Sequence, residues 1–420
     1  MKFTNDKKID EEIEKQLRLI VEEINKRINT ISIILAGGFG KGEGSYEIKD
    51  GRILPLNDYD IYIITKKKIN EKILYEVEEE CWKKIDLKPY DEFRTTTTQL
   101  DTFSIDLKNL TIDELRKLPF LLKIYELKHC SYVLYGEDTR KEIPDFRIKD
   151  IPLSDGIRFL LNRVSYNFQT FSPKYFDEIP DKGRTMIYGC AKARLEIITT
   201  LLLLKGEMPL THKERLKKFK EVYERGFREL YEKDKNLVEK VGEGVELKLK
   251  LEIKKDPIKY WFETREILLM VLDYYLNRVF GINNLEEFYF DFPKRYLKPY
   301  VDFKLKEKKL GRNLSGVVIR LLPLYFNVLY FWRLKRYHKF SYYRVLFNRI
   351  MPDILIYLGG ILMYRSVEQS GEINDEIFRA YKFIKRVYPV KFSRDKKELF
   401  DNCRKSNGDA CRIFFGQKIV

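Results

Sequence analysis

The chain has 420 residues, 44 % of them hydrophobic, with 80 Lys and Arg against 64 Asp and Glu and a formal net charge of +16. Such length and apolar content exclude a disordered or fibrous chain and allow two or three domains with real cores. The charge favours polyanionic partners (nucleotide phosphates, nucleic acid or an anionic membrane surface) without choosing among them.

Ile9, Ile13, Leu17, Ile20, Ile24 and Ile28 recur at three- and four-residue steps, which predicts an amphipathic helix. The short β-branched run Ile31 to Ala36 predicts a buried strand. It leads straight into Gly37-Gly38-Phe39-Gly40-Lys41-Gly42-Glu43-Gly44-Ser45. Glycines there let the backbone turn sharply and present N–H groups to a phosphate. Residues 45–57 predict an inserted hairpin turning at Asp50-Gly51. A second apolar run, Tyr59 to Ile64, carries Asp58 and Asp60. Side chains two apart on a strand share a face, so these carboxylates are brought together near the glycine turn. Paired carboxylates repel unless a cation bridges them, and Mg²⁺ prefers oxygen ligands and nucleotide phosphates. Two such ions about 4 Å apart can clamp a phosphoryl displacement, which calls for a third carboxylate from a neighbouring strand. After a helix over Glu71 to Leu87, the strand Thr102 to Leu107 supplies one in Asp106.

Thr111-x-x-Glu114 predicts a capped helix running through Tyr125, kinked at Pro119, and Tyr132 to Asp138 a strand and turn. The pattern beyond is mainly helical. Helices are expected over Ile157 to Phe171, Gly183 to Lys205, Arg215 to Asp234 after the cap signal Thr211-x-x-Glu214, and from Pro257 to Phe280. Lys308 to Pro352 contains no Asp or Glu but ten Lys and Arg, interleaved with aromatics. It reads as the basic outer face of a helical bundle, as a membrane-surface element, or as a nucleic-acid surface.

Gly37-Gly38, then Asp58-x-Asp60, then an apolar-flanked Asp106 resembles the polymerase-β-type nucleotidyltransferase superfamily. The glycine-turn variant resembles its small-substrate members. The resemblance covers roughly residues 30 to 140 and is only architectural beyond. It implies an α+β chain: a small mixed-sheet nucleotidyltransferase domain over 1–148, a helical acceptor-binding domain over 149–285, and a basic, aromatic-rich helical region over 286–420. Gly37, Gly38, Gly40 and Gly42 would then cradle the phosphates of a nucleoside triphosphate by backbone N–H. Lys41 would neutralise phosphate charge. Ser45 would add a hydroxyl, since Gly38 stands where many members have Ser. Glu43 would orient Lys41 or bind metal. Asp58, Asp60 and Asp106 would hold two Mg²⁺ (or Mn²⁺), with Asp106 orienting or deprotonating the acceptor. The acceptor implied is a small molecule or glycan precursor, with RNA and protein left open. Two other readings are an antitoxin-like or regulatory nucleotide-binding protein and a glycosyltransferase using Asp58-x-Asp60.

The cysteines, Cys81, Cys130, Cys190, Cys403 and Cys411, are odd in number and never in C-x-x-C spacing, which predicts reduced thiols. The start lacks an apolar signal core and no run of about 20 uncharged apolar residues occurs. A cytoplasmic protein without a spanning helix, peripheral at most to a membrane, is the expectation.

Overall fold

The structure, a computed structural model, describes residues 1–49, 52–86, 104–251, 255–307, 314–338 and 342–415. Its elements, in chain order, begin with α1 (Lys7–Arg27), β1 (Ser32–Ala36), the one-turn helix α2 (Gly37–Gly40), β2 (Tyr46–Lys49), β3 (Arg52–Pro55) and β4 (Tyr59–Thr65). There follow α3 (Glu71–Ile85), β5 (Ile105–Thr111), α4 (Ile112–Leu115), α5 (Leu122–His129), β6 (Tyr132–Gly136), α6 (Leu153–Asn167) and α7 (Arg184–Lys205). Then come α8 (His212–Gly226), α9 (Arg228–Lys233), α10 (Leu237–Leu249), α11 (Pro257–Phe280), α12 (Leu285–Phe290) and α13 (Phe292–Glu307). The last are α14 (Ser315–His338), α15 (Pro352–Ser366), α16 (Glu376–Ile384) and α17 (Lys396–Phe415). The chain is thus α+β, a mixed four-stranded sheet with helices followed by a largely helical region. It divides into two compact units, Met1–Gly156 with Ile197–Lys254, and Ile157–Glu196 with Lys255–Val420.

In the first unit the strand order is β5-β4-β1-β6. β1 runs antiparallel to β4 and β6, and β4 runs parallel to β5. A parallel pair needs a long crossover, which contains α3. Tyr59, Ile61 and Ile63 of β4 share one face with Ile33 and Leu35 of β1 and Ile105 and Leu107 of β5. That face meets Ile13, Leu17, Ile20 and Ile24 of α1 and Val77, Cys81 and Trp82 of α3 in one buried core. Strand alternation therefore turns Asp60, Tyr62, Asp106 and Lys108 to the opposite face. β2 and β3 form the expected hairpin, Tyr46 opposite Pro55; its turn at Asp50-Gly51 lies outside the described residues.

The second unit is built on aromatic packing. Trp261 is fully buried and stacks on Phe171, ring centroids 4.2 Å apart. The buried Arg194 guanidinium lies 3.8 Å from the Tyr260 ring centroid and donates to Thr264 Oγ1 at 2.8 Å. A further core joins Tyr330 and Leu334 of α14 to Leu355 and Ile356 of α15 and to Ala410, Cys411 and Ile413 of α17. All five thiols are free. Burial pushes Cys81, Cys130, Cys403 and Cys411 up to about 12, so these stay protonated and inert.

Several elements differ from their sequence pattern. The strand bearing Asp106 runs on to Thr111, because its period of two continues through buried Asn109, whose amide donates to the Ile63 carbonyl (2.9 Å) and Thr65 Oγ1 (2.8 Å). Its expected start, Thr102 and Phe103, lies outside the described residues, as does Leu87 at the end of the preceding helix. The capping box at Thr111 and Glu114 forms, yet it opens only the short α4. Pro119 separates α4 from α5 instead of kinking one helix, since it offers no N–H and its ring crowds the carbonyl four residues back. The helix expected up to Asp234 breaks at Phe227 into α8 and α9, leaving Tyr223 to donate its hydroxyl to the Asp234 carbonyl at 2.7 Å. Contrary to the expectation of no spanning helix, residues 315–336 within α14 are long and apolar enough, by length and composition, to cross a membrane.

Candidate functional site

The sheet face of the first unit that turns away from α1 and α3 gathers the charged residues that the alternation of β4 and β5 puts there, among buried Ile34, Tyr62 and Ile64. The register places Asp60 between Ala36 of β1 and Asp106 of β5. Asp60 and Asp106 are thus direct cross-strand neighbours at the end of β1 where the glycine stretch begins. Like charges directly opposite destabilise a sheet. The structure resolves this with Lys108, two residues beyond Asp106 and so on the same face. Its Nζ lies 2.6 Å from Asp106 Oδ2 and 3.1 Å from Asp60 Oδ1. Burial alone would lower the ammonium of Lys108, but Asp60, Tyr62 and Asp106 outweigh it and hold its pKa above the usual lysine range. Its ammonium also lies 5.4 Å from the Tyr62 ring centroid.

Asp58 sits just before β4, and its Oδ1 accepts the Ser104 N–H at 3.0 Å, tying the entry of β4 to that of β5. The β4–β5 ladder sets Asp60 opposite Asp106, while Asp58 precedes β4 and lies outside the ladder. Among the described residues, no three His, Cys, Asp or Glu side chains are gathered closely enough for a metal ion. The donor set still suits a hard cation: two carboxylates held face to face by the ladder, whose charge one ammonium only half neutralises. A divalent ion held by Asp60 and Asp106 would take the place of the Lys108 ammonium.

The glycine stretch packs against this pair. Gly37 has φ +68°, and a Cβ there would stand 2.2 Å from Asp60 Oδ2, so only glycine brings this backbone over the carboxylate. Gly38, Phe39 and Gly40 complete the single turn of α2, whose first N–H groups have no partner inside the helix. Gly42, at φ +72°, turns the chain back.

Beyond that turn the side chains fasten the loop. Lys41 is buried and pairs with Glu126 Oε1 of α5 at 2.5 Å. Arg215 of α8 reaches the same oxygen at 2.5 Å and also donates to the Pro209 carbonyl at 2.8 Å. Burial would raise Glu126, but Lys41 and Arg215 together hold its pKa below the usual carboxylate range. The Glu43 carboxylate accepts the N–H groups of His212 (2.7 Å) and Lys213 (3.1 Å), capping the N-terminus of α8, where negative charge is favoured. Lys248 of α10 donates its ammonium to the Glu43 carbonyl and accepts the Ser45 hydroxyl on its own carbonyl. Asn57, next to Asp58, accepts the Ser45 N–H at 2.7 Å.

The structure thus brings Gly37, Asp60 and Asp106 together, and it turns Lys41, Glu43 and Ser45 toward helices α5, α8 and α10. The sequence reading gave no site role to Lys108, Glu126, Arg215, Lys248 or Asn57, although Arg215 closes the Thr211-x-x-Glu214-Arg215 cap signal. The i+2 spacing from Asp106 was a usable signal for Lys108. The pairing of Glu126 with Arg215, 89 residues apart, had none. In comparison with known proteins, no family model, no curated protein and no solved structure matches this chain.

Replacing Glu126 by Gln leaves Lys41 and Arg215 buried without their anion, so a loss of about 3–5 kcal/mol is expected, read from denaturant melts. Because the folded-state pKa of Glu126 is lowered, its stabilisation is complete above the unfolded value and fades as pH falls through the folded one. Melts from pH 7 to pH 3 should show this acid loss in the native chain, and a shallower one in the variant. Lys108→Met should lower the melting temperature in chelator by several degrees, corresponding to about 1–2 kcal/mol. Mg²⁺ or Mn²⁺ should restore it, whereas a variant indifferent to divalent ions would show that the carboxylate pair takes no cation.

Proposed function

We propose that the first unit is a metal-dependent nucleotidyltransferase. In the reaction, an acceptor oxygen bonds to the α-phosphorus of a nucleoside triphosphate. The bond to the bridging oxygen breaks, pyrophosphate leaves, and the acceptor proton passes to Asp106. The single observation that carries this reading is the pairing of Asp60 with Asp106 across β4 and β5, directly beneath the left-handed Gly37. The chemistry has little covalent work for the protein and depends on positioning and charge stabilisation.

In this reading the N–H groups of the α2 turn receive the phosphates. Asp60 and Asp106 would hold Mg²⁺, which supplies positive charge to the phosphates when bound. Lys41 sets the loop through Glu126 and does not face the phosphates directly. Glu43, through the N-terminus of α8, and Ser45, through Lys248 of α10, position the same loop. A hydroxyl-bearing small molecule or glycan precursor is the proposed acceptor, on the strength of the glycine-turn resemblance.

One observation favours a second reading, a regulatory nucleotide-binding protein. Lys108 supplies the chain's own cation where an enzyme of this kind would use a metal. Transfer from α-labelled ATP, CTP, GTP and UTP into small-molecule, protein and RNA fractions separates the two. For the enzyme, label should enter one fraction in the presence of Mg²⁺ or Mn²⁺. Asp60→Asn or Asp106→Asn should cut that transfer by about 10²-fold or more while the melting curve keeps its cooperativity. Nucleotide binding that persists in chelator, with no transfer, would instead establish the regulator.

A further inference from the structure

We propose that the exposed face of α14 docks the second unit on an anionic lipid surface, independently of the chemistry assigned to the first unit. Val317, Leu321, Leu324, Tyr325 and Trp332 are each 53–58 % exposed, and Val328 is exposed as well. At 3.6 residues per turn these six positions fall within an arc of roughly 100°. They form a continuous apolar stripe along a 24-residue helix. Tyr343 and Phe347, on the short turn Tyr343–Phe347 that follows in the chain, are exposed as well, and Phe347 is the most exposed large apolar side chain among the described residues. Scattered apolar residues need no explanation, but a contiguous stripe of this kind marks an interaction surface.

Charge and geometry select the partner. Exposed Arg320 flanks the stripe, exposed Lys335 and Arg336 lie at its C-terminal end, and exposed Arg344 and Arg349 follow. Lys335 lies 5.1 Å from the Trp332 ring centroid. No Asp or Glu occurs between residues 308 and 352. Basic residues beside an aromatic-edged apolar face suit the boundary between anionic headgroups and acyl chains. Single-stranded RNA would use the rings and the basic residues, but it gains nothing from Val317, Leu321, Leu324 and Val328, which have no π face for stacking. A second copy related by a two-fold axis would set this basic rim against itself. Nor does the helix cross the bilayer. Its other side, Asn327, Tyr330 and Leu334, is fully buried in the second unit. Asn327 Nδ2 also donates to the Asn348 carbonyl at 2.9 Å and the Ile350 carbonyl at 3.2 Å. Surrounding α14 with lipid would tear that core apart, whereas laying its exposed side on a headgroup surface leaves it intact.

Tryptophan fluorescence tests this directly. Of the three tryptophans, Trp82 and Trp261 are buried and Trp332 is exposed. The 420-residue chain would be mixed with phosphatidylcholine vesicles, with or without about 30 % phosphatidylserine. Emission should shift to shorter wavelength with the anionic vesicles, and the shift should vanish in Trp332→Phe. Vesicle flotation should show the double variant Leu321→Glu/Leu324→Glu partitioning at least about tenfold more weakly than the native chain, with an unchanged circular dichroism spectrum. Absence of binding to anionic vesicles would overturn the proposal, as would equal binding by the double variant. So would polyuridylate binding without vesicle binding, or a dimer by light scattering that the double variant dissolves.

Discussion

Two carboxylates set face to face across a parallel ladder repel, and much of the first unit is arranged around that repulsion. Asp60 and Asp106 cannot separate, because the pairing of Tyr59, Ile61 and Ile63 with the core locks the register of β4 and β5. The cation must therefore come to them. Lys108 is the nearest side chain with the right charge on the right face, and it bridges the pair. Gly37 is equally bound by the arrangement, since any side chain there would occupy the space of the Asp60 carboxylate. A site that stores one positive charge on a flexible stem is suited to exchange it for another cation.

The loop that follows is held by a different principle. Its charged side chains are buried, and burying a charge costs free energy unless it is paired and hydrogen-bonded. Glu126 collects Lys41 from the loop and Arg215 from α8, so one carboxylate joins the loop to two helices. Glu43 does the reverse, reaching from the loop to the N–H groups of α8. The consequence is a glycine turn that lies against the Asp60 carboxylate at Gly37 and is fixed farther along by ion pairs and hydrogen bonds.

The helical remainder was less legible in the sequence. The basic, aromatic segment 308–352 could be read as a bundle face, a lipid surface or a nucleic-acid surface, because composition does not say which residues are covered. Lys308, Lys309, Arg312, Lys339 and Phe340 of that segment lie outside the described residues. Within α14, packing of Tyr330 and Leu334 against α15 and α17 decides which side remains exposed. Apolar residues run all the way round this helix, so no periodicity in the sequence could have made that choice.

What the sequence determined by itself is what depends on neighbours along the chain: the amphipathic α1, the alternation of β4 that turns Asp60 away from the core, and the glycine turn. The capping boxes at Thr111 and Thr211 belong with these. Tertiary structure alone decided the cross-strand register of Asp60 with Asp106, the bridging by Lys108, the retention of Asp58 by Ser104, and the use of Lys41, Glu43 and Ser45 as anchors. The physical reason is common to all of these. Periodicity is a property of consecutive residues, whereas the partner of a buried charge is chosen by strand register and helix docking, between segments that only the folded chain brings together.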